Sequence, residues 1–340
     1  MKLHMLPWLA GATLALAAFA VPATAGTLAN VQAKGFLQCG VNTGLAGFAI
    51  ADSSGTWTGI DVDYCKAIAA AVFGDASKVK YTPLDAKERF TALQSGEVDV
   101  LIRNTTWTMS RDTSLGFTFA GVNYYDGQGF MVKKSLGVAH VKDLDGASIC
   151  VQSGTDTEFN MADYFKHNNI KYKPVVIEKL SDTIAAYDSG RCDAYTTDAS
   201  GLYGSRLQLK NPDDHIVLPE IISKEPLGPV VRQDDVQWFN IVKWTHNALL
   251  DAEELGVTKA NVDEMLKSEN PAIQRLLGVQ GDFGKPMGLD AKWAYNIIKA
   301  VGNYGEVFDR NVGKDSQLKI DRGVNKLWTD GGIQYGIPIV

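Results

Sequence analysis

The chain is 340 residues long, 45% hydrophobic and 21% charged, with a formal net charge of −6, the profile of an ordinary globular protein of about two domains. No block of Lys or Arg offers an electrostatic footprint for nucleic acid, which excludes DNA and RNA as expected partners. The four cysteines, Cys39, Cys65, Cys150 and Cys192, form no C-x-x-C pair and the five histidines are scattered, so no redox motif, metal site or cofactor is indicated.

Residues 1–25 read as a signal peptide. Lys2 supplies the positive start, residues 6–20 an almost unbroken apolar run, and Ala23-Thr24-Ala25 the small-x-small cleavage site. That run is shorter than the roughly 20 residues a membrane-spanning helix needs. No later segment is longer or more apolar, so the mature chain is expected to be soluble. In an exported chain an even number of cysteines points to two disulfides, with three possible connectivities.

The mature part begins with a predicted strand over 36–41, then a helix over 61–73 ended by Gly74. On that helix Cys65, Ile68 and Val72 fall at i, i+3 and i+7, one buried stripe. A strand over 78–82, an amphipathic helix over 87–94 and a strand over 97–102 follow. A second series repeats the scheme: strand 148–151, helix 158–167, strand 173–177, helix 182–188, strand 192–196. The two series carry a weak internal repeat, Ser95-Gly96-Glu97-Val98-Asp99-Val100 echoed by Ser189-Gly190-Arg191-Cys192-Asp193-Ala194. Each copy leads into a Thr-rich loop, 104–108 or 196–198.

Such alternation predicts an α/β fold of parallel, doubly wound sheets with helices on both faces, and two units give two lobes. The Gly, Pro and Lys of 127–134 and 224–234 suit crossings between them. From Val236 onward the pattern is mostly helical, with Trp238, Val242, Thr245 and Leu249, then Trp293, Ile297 and Ala300, at helical spacing. A chain that crosses twice returns to its first lobe. The expected organisation is therefore lobe 1 over 26–130 and 229–340, the latter with a helical C-terminal extension, and lobe 2 over 131–228, joined by a two-strand hinge.

In open parallel sheets ligands bind outside the carboxyl ends of the strands. That rule selects loops 42–48, 104–111, 152–158 and 196–201. Arg111 offers a bidentate fork for a carboxylate, and the Ser153-Gly154-Thr155 turn opens a helix whose free N–H groups favour an anion. Asp198, on the opposite loop, suits an ammonium, and Thr106, Thr108, Thr155 and Thr157 add hydroxyls. A zwitterion satisfies this set at once. The same residues also have local explanations: Asp198 and the threonines are good helix caps, and Glu158 three residues after Thr155 matches a capping box.

Three segments narrow the choice. Gly59-Ile60-Asp61-Val62-Asp63-Tyr64 resembles the G-F-D-x-D-L signature of the polar-amino-acid-binding proteins of ABC importers. Residues 104–111 resemble that family's S-x-S-I-T-x-x-R segment, and Asp143-Leu144-Asp145-Gly146 with Val151-Gln152-Ser153-Gly154-Thr155 its D-L-x-G…V-x-x-G-T segment. The similarity runs over about 36–313, with extra sequence over 236–289. The run Gly121-Val122-Asn123-Tyr124-Tyr125-Asp126-Gly127-Gln128-Gly129-Phe130 and the ending 323–338 look like the general L-amino-acid-binding subfamily. The resemblance implies a two-lobed periplasmic-binding-protein fold and a monomeric periplasmic receptor, which captures free L-amino acids of broad type by hinge closure and delivers them to ABC permease membrane subunits. It implies that Arg111 clamps the ligand carboxylate, that Asp198 takes the ammonium, and that Thr106, Thr155 and Asp156 complete the pocket, beside Asn104 and Asn42. Tyr64 departs from the usual aliphatic residue, Leu45 and Ala86 stand where relatives often carry aromatics, and Asn42 where several place an acid.

Strand order supplies a disulfide expectation. Cys39 lies on the opening strand of lobe 1 and Cys65 on the next helix. Cys150 opens lobe 2, and Cys192 begins the strand that neighbours it in a 2-1-3 order. The pairs Cys39–Cys65 and Cys150–Cys192 each stay within a lobe and leave hinge motion free. Two other functions use such a scaffold: a periplasmic dehydratase-type enzyme, which needs a general acid or base in the cleft, and a ligand-sensing subunit.

Overall fold

The computed structural model describes residues 26–340; residues 1–25, expected from the sequence to be a signal peptide, lie outside the described residues. Two five-stranded sheets organise the chain. In the first, strand Leu37–Asn42 is flanked in parallel by Val79–Leu84 and Val100–Leu101, and the sheet is extended by the antiparallel strands Val230–Arg232 and Phe117–Phe119. In the second, Ser148–Gln152 is flanked in parallel by Lys173–Ile177 and Ala194–Asp198, then extended by the antiparallel strands Gln128–Lys133 and His215–Val217. The central strands are buried along almost their whole length, as parallel strands covered on both faces must be.

The internal repeat has a structural cause. Asp99 accepts a hydrogen bond from the Gln38 N–H at 2.8 Å, and Asp193 accepts one from the Ser148 N–H at 2.7 Å. In each lobe the repeated aspartate thus ties the start of the third strand to the start of the first, satisfying a backbone donor at the sheet's end. Asp99 also holds Lys34 by two contacts of 2.7 and 2.8 Å.

The chain passes between the lobes in two short strands, Tyr124–Asp126 and Glu225–Leu227, which pair antiparallel with Tyr124 opposite Leu227 and Asp126 opposite Glu225. The first crossing lies earlier than the sequence suggests. Residues Gln128–Lys133, apart from half-buried Lys133, are buried and paired on both sides, so they form a sheet strand and not a connector.

Helix Val236–Glu254 packs against Ile60–Phe73 and Trp293–Val301 on the first lobe. Its Trp238 indole donates to the Asp99 carbonyl at 2.9 Å, which fastens the returning chain to the sheet. Helical structure ends at Asn311; beyond it the chain is irregular, with 3-10 turns at Gly323–Asn325 and Trp328–Asp330. The helical pattern fails there because this segment pairs with the backbone of the first crossing. Asn325 accepts from the Tyr125 N–H at 2.7 Å and donates to its carbonyl at 3.0 Å, while Gln334 donates to the Val122 carbonyl at 3.1 Å. Among the described residues no helix is long and apolar enough to cross a membrane.

Cys39 is bonded to Cys65, with Cα atoms 6.1 Å apart, and Cys150 to Cys192, at 5.6 Å. Each bond stays within one lobe. The loops they close, 26 and 42 residues long, correspond to about 3.5 and about 4 kcal/mol of loop-closure stabilisation. Replacing Cys150 and Cys192 by serine is therefore expected to lower unfolding free energy by about that amount in denaturant titrations. Peptide mapping of the unreduced protein is expected to recover the two intralobe pairs; a Cys39–Cys150 link would contradict this arrangement.

Candidate functional site

The four loops at the carboxyl ends of the central strands meet between the lobes. The Gly59–Tyr64 motif builds one wall. Asp61, almost fully buried, accepts from the Asn104 N–H at 2.9 Å and from the Asn123 side chain at 3.4 Å, so it anchors both the 104 loop and the first crossing. Burial pushes its carboxyl up to about 7. Asp63 accepts from Arg310 at 2.8 Å and from Asn311 at 2.6 Å, holding helix Tyr304–Asn311 in place. Both acids of the motif are ties that position the site.

Asn42 and Asn104 lie together. The Asn42 amide donates to the Asn104 side-chain oxygen at 2.9 Å and accepts from the Gly44 N–H at 3.1 Å. Asn104 adopts a φ of 35°, the left-handed region that asparagine tolerates better than most residues. The loop it starts carries Arg111, whose guanidinium lies over the Phe90 ring, 5.2 Å from its centroid. Arg111 donates to the Thr106 carbonyl at 2.7 Å and to Asp156 across the cleft at 3.1 Å. The Thr106 hydroxyl is turned toward the second crossing and donates to Glu225 at 2.7 Å. Thr108 accepts from the Arg111 N–H at 3.4 Å as the cap of its helix.

On the second lobe, the Thr155 hydroxyl donates to the Gln152 carbonyl at 2.7 Å and contacts the Thr157 hydroxyl at 2.8 Å. It makes no side-chain cap, so the capping-box reading of Thr155 and Glu158 does not describe this helix start. Asp198 precedes helix Ala199–Arg206 and likewise makes no side-chain cap. Asp126, from the first crossing, takes that role: it accepts from the Ser200 N–H at 3.3 Å and from the Ser200 hydroxyl. Asp198 is 6% exposed, and its carboxyl accepts no hydrogen bond from another of the described residues.

Burial, reinforced by the nearby acids Asp126, Glu225 and Asp156, pushes Asp198 well above the usual carboxylate range. Burial likewise raises Asp126 to about 6, and burial together with Asp156 raises Glu225 to about 8. Asp156 is held below the ordinary range, because the attraction of Arg111 and Arg89 and a hydrogen bond from Glu225 outweigh its burial. The site is thus a dehydrated cluster of carboxyls, one of which lacks a partner.

The lobes are closed on each other. Arg89 reaches the Gly154 carbonyl at 3.5 Å, Lys87 pairs with Glu178 at 3.4 Å, and Gln208 donates to the Gly44 carbonyl at 3.1 Å. Glycines allow this approach: a Cβ on Gly154 would lie 2.9 Å from the Lys87 side chain, and one on Gly204 2.6 Å from the Ala46 carbonyl oxygen.

Sequence reasoning missed Asp126 and Glu225 on the crossings, Gln128 at the start of the strand that follows, Ser200 and Asn160, which donate to two of these carboxyls, and the buried Arg89 and Arg103. Asn160 donates to Glu225 at 2.8 Å. Gln128 donates to the Thr157 carbonyl and the Thr196 hydroxyl, both at 2.9 Å. A charged residue inside a crossing stretch was the one available signal, and it was spent on reading connectors.

Two α/β lobes with loops facing across a paired two-strand hinge define a solute-binding protein of the periplasmic-binding-protein fold. The profile of the bacterial extracellular solute-binding proteins, family 3, matches residues 37–331, and the chain belongs to that family. It is 66% identical over 326 residues to the general L-amino acid-binding periplasmic protein AapJ of Rhizobium johnstonii, across 95% of this chain and 96% of that protein. It is 57% identical over 328 residues to the glutamate/glutamine/aspartate/asparagine-binding protein BztA of Rhodobacter capsulatus, across 96% of this chain and 97% of that protein. An ABC transporter periplasmic binding protein from Brucella ovis, solved with glutathione bound, matches with a TM-score of 0.92 and 65% identity, over 93% of this chain and 100% of that one.

The carboxyl cluster makes closure depend on pH. In this closed form Asp126 and Glu225 stand at about 6 and about 8, against ordinary values of 3.8 and 4.5 toward which exposure to water on opening is expected to return them. A raised pKa means the closed form holds the extra proton, so its advantage is full below the ordinary values and is lost as pH climbs through about 6 to about 8. Small-angle scattering of the ligand-free protein is expected to give a smaller radius of gyration at about pH 5 than at about pH 8.5. An unchanged radius, or the opposite order, would contradict this.

Proposed function

We propose that the protein is a periplasmic receptor that captures free L-amino acids of broad side-chain type by closing its two lobes, then delivers them to the membrane subunits of an ABC permease. The observation that carries this reading is the unpartnered, buried Asp198 in the same cleft as Arg111. A closed, dry cleft makes an isolated carboxylate costly, and an α-ammonium relieves that cost. Arg111 is steadied by Phe90 and the Thr106 carbonyl. Its Nη2, which pairs with Asp156 at 3.1 Å, is the arm that a ligand carboxylate would share with Asp156 or take from it. Thr155, Asp156, Thr106, Asn104 and Asn42 are the surrounding pocket residues in this reading.

The lobes are proposed as residues 26–127 with 229–340, and 128–228, moving about the paired strands Tyr124–Asp126 and Glu225–Leu227. Export with cleavage after Ala25 and a monomeric mature protein belong to the same reading. A ligand that contacts both lobes favours the closed state by its differential affinity. The relatives' names, amino-acid-binding proteins in both cases, agree with this ligand class. Glutathione, bound in the Brucella ovis structure, also presents a free α-ammonium and α-carboxylate on its γ-glutamyl group, so one clamp serves both. Leu45 and Ala86, buried small or aliphatic residues where relatives often carry aromatics, leave the side-chain end less enclosed, which suits broad specificity. For the enzyme alternative Glu225 is the carboxyl best tuned to carry a proton, but its oxygens are taken up by Thr106, Asn160 and Ser223.

Arg111→Lys tests the reading. The α-carboxylate is common to all ligands and a lysine cannot reproduce the fork, so calorimetry is expected to show every amino acid weakened by a similar factor, about 1.5–3 kcal/mol. A change in side-chain preference at constant affinity would place Arg111 in the selectivity pocket and contradict the assignment.

A further inference from the structure

The end of lobe 2 remote from the cleft carries a second pocket. It opens where strand Gln128–Lys133 runs into the turn Lys134–Leu136, beside the end of helix Leu180–Asp188 and the start of the edge strand His215–Val217. Gln128 marks the cleft end of that strand, and Lys133 lies roughly 16 Å further along it by strand rise. The pocket measures about 330 Å³, the share of roughly ten waters in the liquid.

His215 lines this pocket, 3% exposed and opposite Lys133 in the sheet register. Its Nδ1 lies 2.7 Å from the hydroxyl of Tyr187, a side chain buried completely. Burial, with Asp188 nearby, pushes the Tyr187 phenol above its usual range, so the phenol keeps its proton. Nδ1 is the one acceptor that proton has, which leaves the ring N–H on Nε2. Nε2 makes no hydrogen bond among the described residues and is not sealed from solvent, so it opens to the pocket. Burial and Lys133 hold the ring below the usual imidazole range, with Arg206 acting in the same sense and Asp188 and Asp214 against it. The donor is therefore a neutral imidazole.

Lys134 and Lys210 stand with Lys133 around it. Among the described residues no carboxylate pairs with any of the three, and Lys133 alone has a partner, the Asp188 carbonyl at 3.3 Å. Three lysines against the two aspartates of the rim, Asp188 and Asp214, leave one net positive charge. That balance suits a compact anion and not a polyanion. Surface lysines are ordinary; a buried N–H turned toward them and left without an acceptor is costly, and an oxyanion would supply the acceptor.

We propose that this pocket binds a phosphate group, held by the His215 Nε2–H and the ammonium groups of Lys134 and Lys210, at a site separate from the amino-acid cleft. Inorganic phosphate and the headgroup of an anionic phospholipid present the same oxygens. Bound there, the group ties the short edge strand to the turn that ends its neighbour, steadying lobe 2 without entering the cleft.

The test uses inorganic phosphate, against chloride of matched ionic strength, and vesicles of phosphatidylglycerol. One of the two is expected to shift the His215 ring signals of wild type saturably in NMR spectra. A free-phosphate response assigns the site to the soluble ion; a response to vesicles alone, with co-sedimentation, assigns it to the headgroup. Lys134→Ala with Lys210→Ala, both at exposed positions, is expected to weaken that binding about tenfold or more while amino-acid affinity, read by calorimetry, is unchanged. His215 signals unmoved by either probe overturn the site, and so does a double variant that binds the probe as tightly as wild type. The wild-type spectra decide the matter even if the variant fails to fold. Loss of amino-acid binding by wild type would remove the receptor reading and leave this site standing, because different ligands test the two.

Discussion

The structure is arranged around a carboxyl to which the protein itself gives no hydrogen bond. A buried acid ordinarily takes backbone or side-chain donors, and Asp198 stands where the first N–H groups of a helix are within easy reach. Those donors go elsewhere, because Asp126 arrives from the crossing strand and accepts from Ser200. Glu225, on the paired crossing, is satisfied from both lobes, by Thr106 on one side and Asn160 on the other. Asp198, of these three acids, accepts no such bond, and burial with its acidic neighbours pushes it well above the usual carboxylate range. An ammonium entering the cleft changes that balance more than any neutral group could.

The rest of the molecule keeps this balance specific to the closed state. Each lobe is stiffened internally: the repeated aspartates Asp99 and Asp193 join the first and third strands, and each disulfide stays within its own lobe. Two short paired strands join the lobes. The irregular C-terminal segment braces one of them through Asn325 and Gln334. The acids Asp126 and Glu225 sit at the ends of these strands.

Much of this was legible in the chain. Strand-helix alternation and the Ser-Gly-x-x-Asp echo gave two doubly wound lobes because period and repeat are local properties. The loop rule brought Arg111 and Asp198 to the same cleft because the carboxyl end of a parallel strand is fixed once the strand is. Other features depend on partners distant in sequence. Nothing near Asp198 says that Asp126, 72 positions away by its number, takes over its cap. The Gly59–Tyr64 motif marks a family, yet Asp61 earns its place by holding Asn104 and Asn123. Asn42 and Asn104 were taken as separate candidates and are bonded to each other. A lone arginine after a strand, as Arg103 is, carries no local sign of its burial.

The central claim is that Asp198 is kept unpartnered for an α-ammonium, and a double-mutant cycle tests it most directly. Calorimetry would compare an amino acid with its desamino analogue, on wild type and on Asp198→Asn. The account predicts that wild type loses much of its affinity when the ammonium is removed, and that the variant loses far less, a coupling of at least about 1 kcal/mol. Equal losses on both proteins, or an unchanged amino-acid affinity in the variant, would contradict it.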